Sequence, residues 1–294
     1  MPQLPGDGTL KAALRWLQAM RTEDVPRIRA LFTHHDAYAD LTPDQYAHGL
    51  LWLHHLGLAA LPRQSAPASP LEDRALGMLL LSRSLEAAGP GWEYTTSSAG
   101  EEGDLPAAAG PLAKALGLSH GDAAAAVTQA RLAERARVGA AGEAALVELL
   151  GRHVDAEVTH VSALSDRFGY DIAVAGPGGH AAHIEVKTTT KPTENLHFLS
   201  RHEYETMRGD PAWVLATIRL DRNDRVVSVS TVRRAWVAGA MPADQPAGEA
   251  LWESARLMIP PSAVEPGLPA VGSWLKPGHT GSLLAGQQHQ EVTW

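Results

Sequence analysis

The chain contains no cysteine. That absence excludes disulfide bridges, thiolate metal sites and cysteine nucleophiles, and it agrees with a reducing cytoplasm. No uninterrupted apolar run reaches the ~18 residues of a membrane span. The opening Met1-Pro2-Gln3-Leu4-Pro5-Gly6 lacks the basic start and apolar core of a secretory leader. The expectation is a soluble, cytoplasmic protein without a membrane partner. Lysine is sparse beside abundant Ala, Gly, Pro and Arg, the composition of a GC-rich bacterial genome.

What remains is ordinary globular material: 294 residues, 45% hydrophobic and 20% charged, enough for two domains or one large one. The net charge of −8 argues at first sight against a nucleic-acid partner. Its distribution weakens that argument. Residues 1–125 carry −5 and residues 241–294 carry −3, whereas 126–240 are neutral. A nuclease brings acidic metal sites to phosphate, and the divalent ion inverts the local field. Charge alone does not decide the partner.

Three regions follow: a mainly helical domain over 1–125, an α/β domain over 126–236 and a loop-rich extension over 237–294. Apolar residues at helical spacing mark 10–20 and 23–32. Thr42-Pro43-Asp44-Gln45 opens a further helix with a capping-box pattern, and Gly57 stops it. Residues 61–73 and 88–111 read as loops from their Pro, Gly, Ser and Ala content. A short helix over 111–116 ends at Gly117, and Ser119 caps the next, with Asp122 in its first turn. A long Ala-rich helix covers 126–151. Strands are expected over 154–161, 170–175 and 181–190, the last two forming a hairpin across Pro177-Gly178-Gly179. Ser200 caps a helix with Glu203 in its first turn, and two more strands cover 212–220 and 226–232. The order helix, three strands, helix, strand, strand suggests a mixed sheet flanked by helices. In the extension, a short helix is expected around 248–258, and 281–294 reads as flexible.

The chemistry concentrates in Phe168-Gly169-Tyr170-Asp171-Ile172 and His183-Ile184-Glu185-Val186-Lys187-Thr188. Strand alternation points Glu185 and Lys187 the same way, with Ile184 and Val186 toward the core. The hairpin would set Asp171 beside Glu185. Two adjacent carboxylates are costly without a cation between them. Mg²⁺ suits such a pair, being hard and oxygen-seeking. Lys187 would then stand next to a metal-bound water.

This Asp…Glu-X-Lys arrangement resembles the PD-(D/E)XK nuclease superfamily. Gly142-Glu143, Gly169-Tyr170-Asp171-Ile172, Ile184-Glu185-Val186-Lys187-Thr188 and Phe198-Leu199-Ser200-Arg201-His202-Glu203 together resemble the nuclease-like domain named after the C-terminus of the plant NO VEIN protein. The resemblance covers about 135–220. It implies a restriction-endonuclease-like mixed sheet, preceded here by the helical N-terminal domain. It also implies an endonuclease that hydrolyses DNA with Mg²⁺, or Mn²⁺ in its place, with RNA left open. Asp171 and Glu185 would bind the metal, the Val186 carbonyl would add a ligand, Glu143 would complete the acidic cluster, and Lys187 would position the attacking water. Nucleases of this fold often dimerise, and proteins with this domain often serve in bacterial restriction or anti-phage defence. No Pro precedes Asp171, a departure at a variable position.

The same residues have plainer readings. An exposed sheet face carries Glu–Lys pairs without chemistry, so a non-cleaving nucleic-acid-binding module or a regulatory adaptor is the alternative. Adjacent pairs such as His34-His35 and His54-His55 face different directions on a helix and do not make a metal site. His180 and His183 flank the hairpin and are assigned to its surface. Ser200 and Glu203 read equally as site support or as a helix cap, and Thr188, Thr189, Thr190 and Lys191 as backbone contacts or as β-propensity. Leu56-Gly57-Leu58 and Leu116-Gly117-Leu118-Ser119 allow a winged-helix reading or plain helix stops. No basic cluster marks a recognition helix, and a protein partner for the helical region suits its acidity at least as well.

Overall fold

The computed structural model describes residues 4–60, 69–89, 105–191, 195–244, 252–278 and 282–286. The chain separates into two compact units, Met1–Arg135 and Ala136–Trp294. No helix among the described residues is long and apolar enough to cross a membrane.

The described part of the first unit is built from helices: α1 (Asp7–Ala19), α2 (Val25–His34), α3 (Pro43–His55), α4 (Pro70–Ala87), α5 (Ala109–Ala115) and the start of α6 (His120–His153). Local grammar sets their ends. Thr42 and Gln45 form the expected capping box, with Pro43 in the first turn. Ser69 and Glu72 repeat that device ahead of Pro70, so α4 occupies part of a stretch that composition alone assigns to loop. α3 and α5 stop in the same way. Leu58 N–H returns to Leu53 O and Gly57 N–H to His54 O, while Leu118 and Gly117 do the same to Ala113 and Lys114. Both glycines sit at positive φ, +70° and +67°, so the two Leu-Gly-Leu segments are Schellman stops that need glycine's freedom. No strand, and so no wing, lies among the described residues of this unit. Trp16, Leu17, Ile28, Leu53, Leu80 and Leu85 lie at the centre of its core.

Ser119 and Asp122 cap α6 reciprocally. The helix therefore begins at His120, and the two helices expected over 119–151 are one. The second unit follows with β1 (Glu157–His160), β2 (Ile172–Ala175), β3 (Ala181–Thr189), β4 (Leu196–Ser200), α7 (Arg201–Gly209), β5 (Trp213–Leu220), β6 (Val226–Val232), α8 (Arg234–Ala240), β7 (Ser254–Met258) and β8 (Val264–Pro266). Six strands form one mixed sheet in the order β1-β2-β3-β5-β6-β8, and β4 and β7 form a separate antiparallel pair. Within the main sheet β3 and β5 run parallel, with α7 in the connection, and the other neighbours are antiparallel. The chain is thus α/β, a helical region followed by a mixed sheet.

Alternation on β3 assigns the two faces. Ile184 and Val186 face a core that includes Leu146 and Leu150 of α6, Ile172, Val174, Ala216, Ile218 and, from the C-terminal stretch, Leu268 and Val271. The opposite face carries His183, Glu185 and Lys187, whose register partners on β5 are Trp213, Leu215 and Thr217. There a second core gathers Leu199 of β4, Met207 of α7, Val237 of α8 and Leu257 of β7.

Two expectations fail here. The helix expected around 248–258 is a strand over Ser254–Met258; residues 245–251 lie outside the described ones. Ala255 and Leu257 are buried while Ser254, Arg256 and Met258 are exposed, a period of two that β4 satisfies as a partner. Residues 237–294, expected as a loop-rich extension, supply β7, β8 and core side chains. Of the stretch read as flexible, 282–286 is described and holds a 3-10 turn over Leu283–Ala285 with Leu284 buried. The remainder lies outside the described residues.

Candidate functional site

The β2–β3 register pairs Ile172 with Ile184. One step further along it, Asp171 stands opposite Glu185. Asp171 is held there from both strands: its carbonyl accepts from Val161 N–H, its N–H donates to Ile184 O, and its Oδ2 accepts from Val186 N–H at 2.7 Å. Gly169, at φ +71°, leads into this position, and its carbonyl receives Trp213 Nε1. A strand end is thus fixed by these four hydrogen bonds before any ligand is considered.

Lys187 bridges two carboxylates. Its Nζ lies 2.7 Å from Glu185 Oε1 and 3.2 Å from Glu203 Oε1. Glu203 also caps α7, since its Oε2 accepts from Ser200 N–H at 2.6 Å while Ser200 Oγ accepts from Glu203 N–H. Of the two readings left open by the sequence, the helix cap is present, and Glu203 pairs with Lys187 as well. Glu143 approaches from α6, with Oε2 taking Ser162 Oγ at 2.7 Å and lying 2.9 Å from His160 Nε2. Gly142 makes this approach possible: a Cβ there would overlap Thr188 of β3.

Burial governs the electrostatics. Desolvation pushes the Asp171 carboxyl up to about 6; the Val186 N–H opposes the shift and the nearby Glu143 adds to it. Glu185 is raised well above its usual value by burial first, with Glu203 and Asp171 adding and Lys187 opposing. Burial also works against the charges of Lys187 and Glu203, but the pull of Glu185 and then Glu203 on Lys187, and of Lys187 on Glu203, outweighs it. Lys187 is held above its ordinary value, and Glu203, aided by the Ser200 N–H, below its own. His197 of β4 is 6% exposed, pairs with Asn195 Oδ1 at 2.7 Å, and is pushed down to about 4 by burial and by Lys187. Beside the lysine it is a neutral imidazole.

Two carboxylates, those of Glu185 and Glu203, therefore pair with one ammonium, Asp171 stands beside Glu185, and Glu143 lies near Asp171. Sequence reasoning named Asp171, Glu185, Lys187, Glu143 and Val186: the Val186 N–H binds Asp171, Lys187 pairs with Glu185, and Glu143 of α6 lies near Asp171. That reasoning missed His197, although the burial of His197 and Leu199 at a spacing of two is the signature of a strand. His183 serves elsewhere on the face, stacked on Tyr170 at 4.4 Å and bound through Nδ1 to Asp210 at 2.5 Å. The chemistry of the donor set fits a hard divalent cation: oxygen ligands, too little positive charge, and two carboxyls whose ionisation burial opposes. The set is open rather than a cage. Among the described residues no three His, Cys, Asp or Glu side chains are arranged to hold one ion, so water and backbone oxygen would complete the shell.

Comparison with known proteins yields one family. Residues 142–229 match the family described as Protein NO VEIN, C-terminal. The matched stretch begins at Gly142 and contains Glu143, Asp171, Glu185, Lys187 and Glu203. Neither the curated proteins nor the solved structures give a match.

Proposed function

We propose that the second unit is a metal-dependent nuclease that hydrolyses phosphodiester bonds of DNA on a restriction-endonuclease-like sheet. One observation carries the reading: Asp171 and Glu185 sit side by side, buried and short of positive charge, with Lys187 next to them. The three antiparallel strands, followed by α7 and a strand parallel to the third, agree with the order expected of that fold. The resemblance adds a role in bacterial restriction or anti-phage defence.

Asp171 and Glu185 would hold Mg²⁺ or Mn²⁺, with the Val186 carbonyl as a further ligand. When bound, the ion would supply charge stabilisation at a phosphoryl oxygen and acidify a water. The chain's own groups do the rest. Lys187 keeps its proton and would donate a hydrogen bond to the phosphoryl oxygens as negative charge develops on them. Glu203 holds that ammonium from the α7 side, so Lys187 stays aimed while α7 stays capped. Glu143, fixed by Ser162 and His160, orients water on the opposite side of the carboxylate pair. His197 shields Lys187 from solvent without adding a competing charge.

A second reading, a binding module that does not cleave, is favoured by the ion pair itself. Lys187 already occupies a position 2.7 Å from Glu185 Oε1, and the described residues offer no three-ligand group. Plasmid and single-stranded DNA incubated with Mg²⁺ or Mn²⁺ separate the two. The nuclease reading expects cleavage that EDTA, Asp171→Ala and Lys187→Ala each abolish. DNA that is bound but left intact by the wild-type protein supports the binding module.

A further inference from the structure

A cavity of about 580 Å³ opens beside the acidic site, between the main sheet and the end of β7. Its floor continues the face that carries Glu185 and Lys187. Lys187 is paired in register with Thr217, and Thr217 with Ser230; one row further, Thr189 is paired with Arg219, and Arg219 with Ser228. The cavity lining therefore starts at the register partner of Lys187 and runs outward as hydroxyls and a guanidinium, with Lys191 at the rim. Met258, Ile259, Pro260 and Pro261 form the apolar wall. In a chain of net charge −8, none of the described lining residues is acidic. Arg219 Nε is buried and has no hydrogen-bond partner. A buried guanidinium N–H without an acceptor is costly, and a phosphate oxygen is the acceptor its fork best fits.

We propose that this cavity is a nucleotide subsite for a single strand of nucleic acid, with Arg219 binding the phosphate next to the one that is cleaved. The inference rests on the nuclease reading of the neighbouring site and names how its substrate is held. Hydroxyls and Arg219 on one wall take the sugar-phosphate backbone, and the apolar wall takes the base or sugar face. A volume of this size buries a small-molecule-sized unit, which is one nucleotide of a strand. Nucleotide selectivity here comes from shape and stacking on the apolar wall.

The test is fluorescence anisotropy with a short labelled oligothymidylate in EDTA, with thermal melting to establish that each variant is folded. Arg219→Ala is expected to weaken binding about tenfold, the loss of one charge-assisted contact. It should also reduce the slope of log K against log salt by about 0.7. Arg219→Lys should fall between the two. Ser228→Glu, on the neighbouring strand, sets a carboxylate beside Arg219 and should weaken binding at least as much, which keeps the proposal testable if Arg219→Ala does not fold. Wild-type affinity in Arg219→Ala and Ser228→Glu overturns the subsite, as does equal affinity for the matching duplex. Oligonucleotide that binds through Arg219 but stays intact in Mg²⁺ or Mn²⁺ upholds the subsite and defeats the nuclease reading. Cleavage with binding indifferent to Arg219 does the reverse.

Discussion

The two units treat charge in opposite ways. Each of the ion pairs seen in the first, such as Arg15–Asp40, Arg21–Glu72 and Arg74–Asp122, keeps one partner at least 45% exposed. In the second, Lys187 is 18% exposed and its partners Glu185 and Glu203 are 4% and 21% exposed. The first unit buries leucine, alanine and aromatics; where it buries a charge, as at Arg21 and Asp122, the partner stays exposed, so each pair contributes little. The second buries an ammonium among carboxylates at the end of its central strands. A buried ion pair is a poor device for stability, because desolvation offsets most of its attraction. The difference is the one expected if, as proposed, the charged cluster serves a ligand rather than the fold.

The comparison is broken most forcefully at Lys187. Lys187→Met strands Glu185 and Glu203 without a partner and should destabilise the second unit by about 3–5 kcal/mol. Arg15→Ala, at an exposed pair, should cost about 1 kcal/mol or less. Urea unfolding followed by hydrogen exchange of peptides from each unit reads both. Equal losses would remove the contrast.

Acid should push the units apart. The folded Asp171 carboxyl titrates near 6, above its unfolded value of about 3.9. Between those values the folded chain holds more protons than the unfolded one. The stabilisation is therefore fully present below about pH 4 and lost as pH rises through 6, on the order of 3 kcal/mol. Glu185 shifts in the same direction and Glu203 in the other. In the first unit Asp40, Glu72 and Asp122 are held below their ordinary values by Arg15, by Ser69 and by Ser119, respectively. Their contribution is present at neutrality and lost in acid. Lowering the pH from 7 to 5 should raise protection relative to the intrinsic exchange rate in the second unit and leave it unchanged in the first, and Asp171→Asn should flatten the response.

Much of this was legible in the sequence, and the reasons are local. β6 and the β2–β3 hairpin were visible because alternation and a glycine turn carry the signal within a few residues. The carboxylate pair followed from that hairpin. Glu203's second role was not legible as such, since it depends on α7 lying over β3, a long-range fact no spacing encodes. β4 and β7 escaped for a related reason: each is five residues long and makes sense only as the other's partner. α4 was different. Ser69-Pro70-Leu71-Glu72 repeats the grammar of Thr42-Pro43-Asp44-Gln45, and the surrounding Pro, Ser and Ala obscured it.

Smaller effects sharpen the account along α6. Gly142→Ala drives a methyl group into Thr188 and should cost about 1–3 kcal/mol in thermal unfolding. Gly139→Ala, with open space at its Cβ, should stabilise by up to about 1 kcal/mol. If both substitutions stabilise, Glu143 is not held by a close helix–strand approach. Smallest is the cap of α4: Ser69→Ala should cost about 1 kcal/mol. Ser200→Ala should exceed it, since that cap also fixes the carboxylate that pairs with Lys187.

The central proposal is that Asp171 and Glu185 together bind a divalent cation. Calorimetric titration of Mn²⁺ at neutral pH, repeated in buffers of different ionisation heat, tests it most directly. The account predicts one site per chain, proton release on binding because burial raises Glu185 well above its usual value, and loss of the site in Asp171→Asn. An absence of heat, or binding that survives Asp171→Asn, would contradict it.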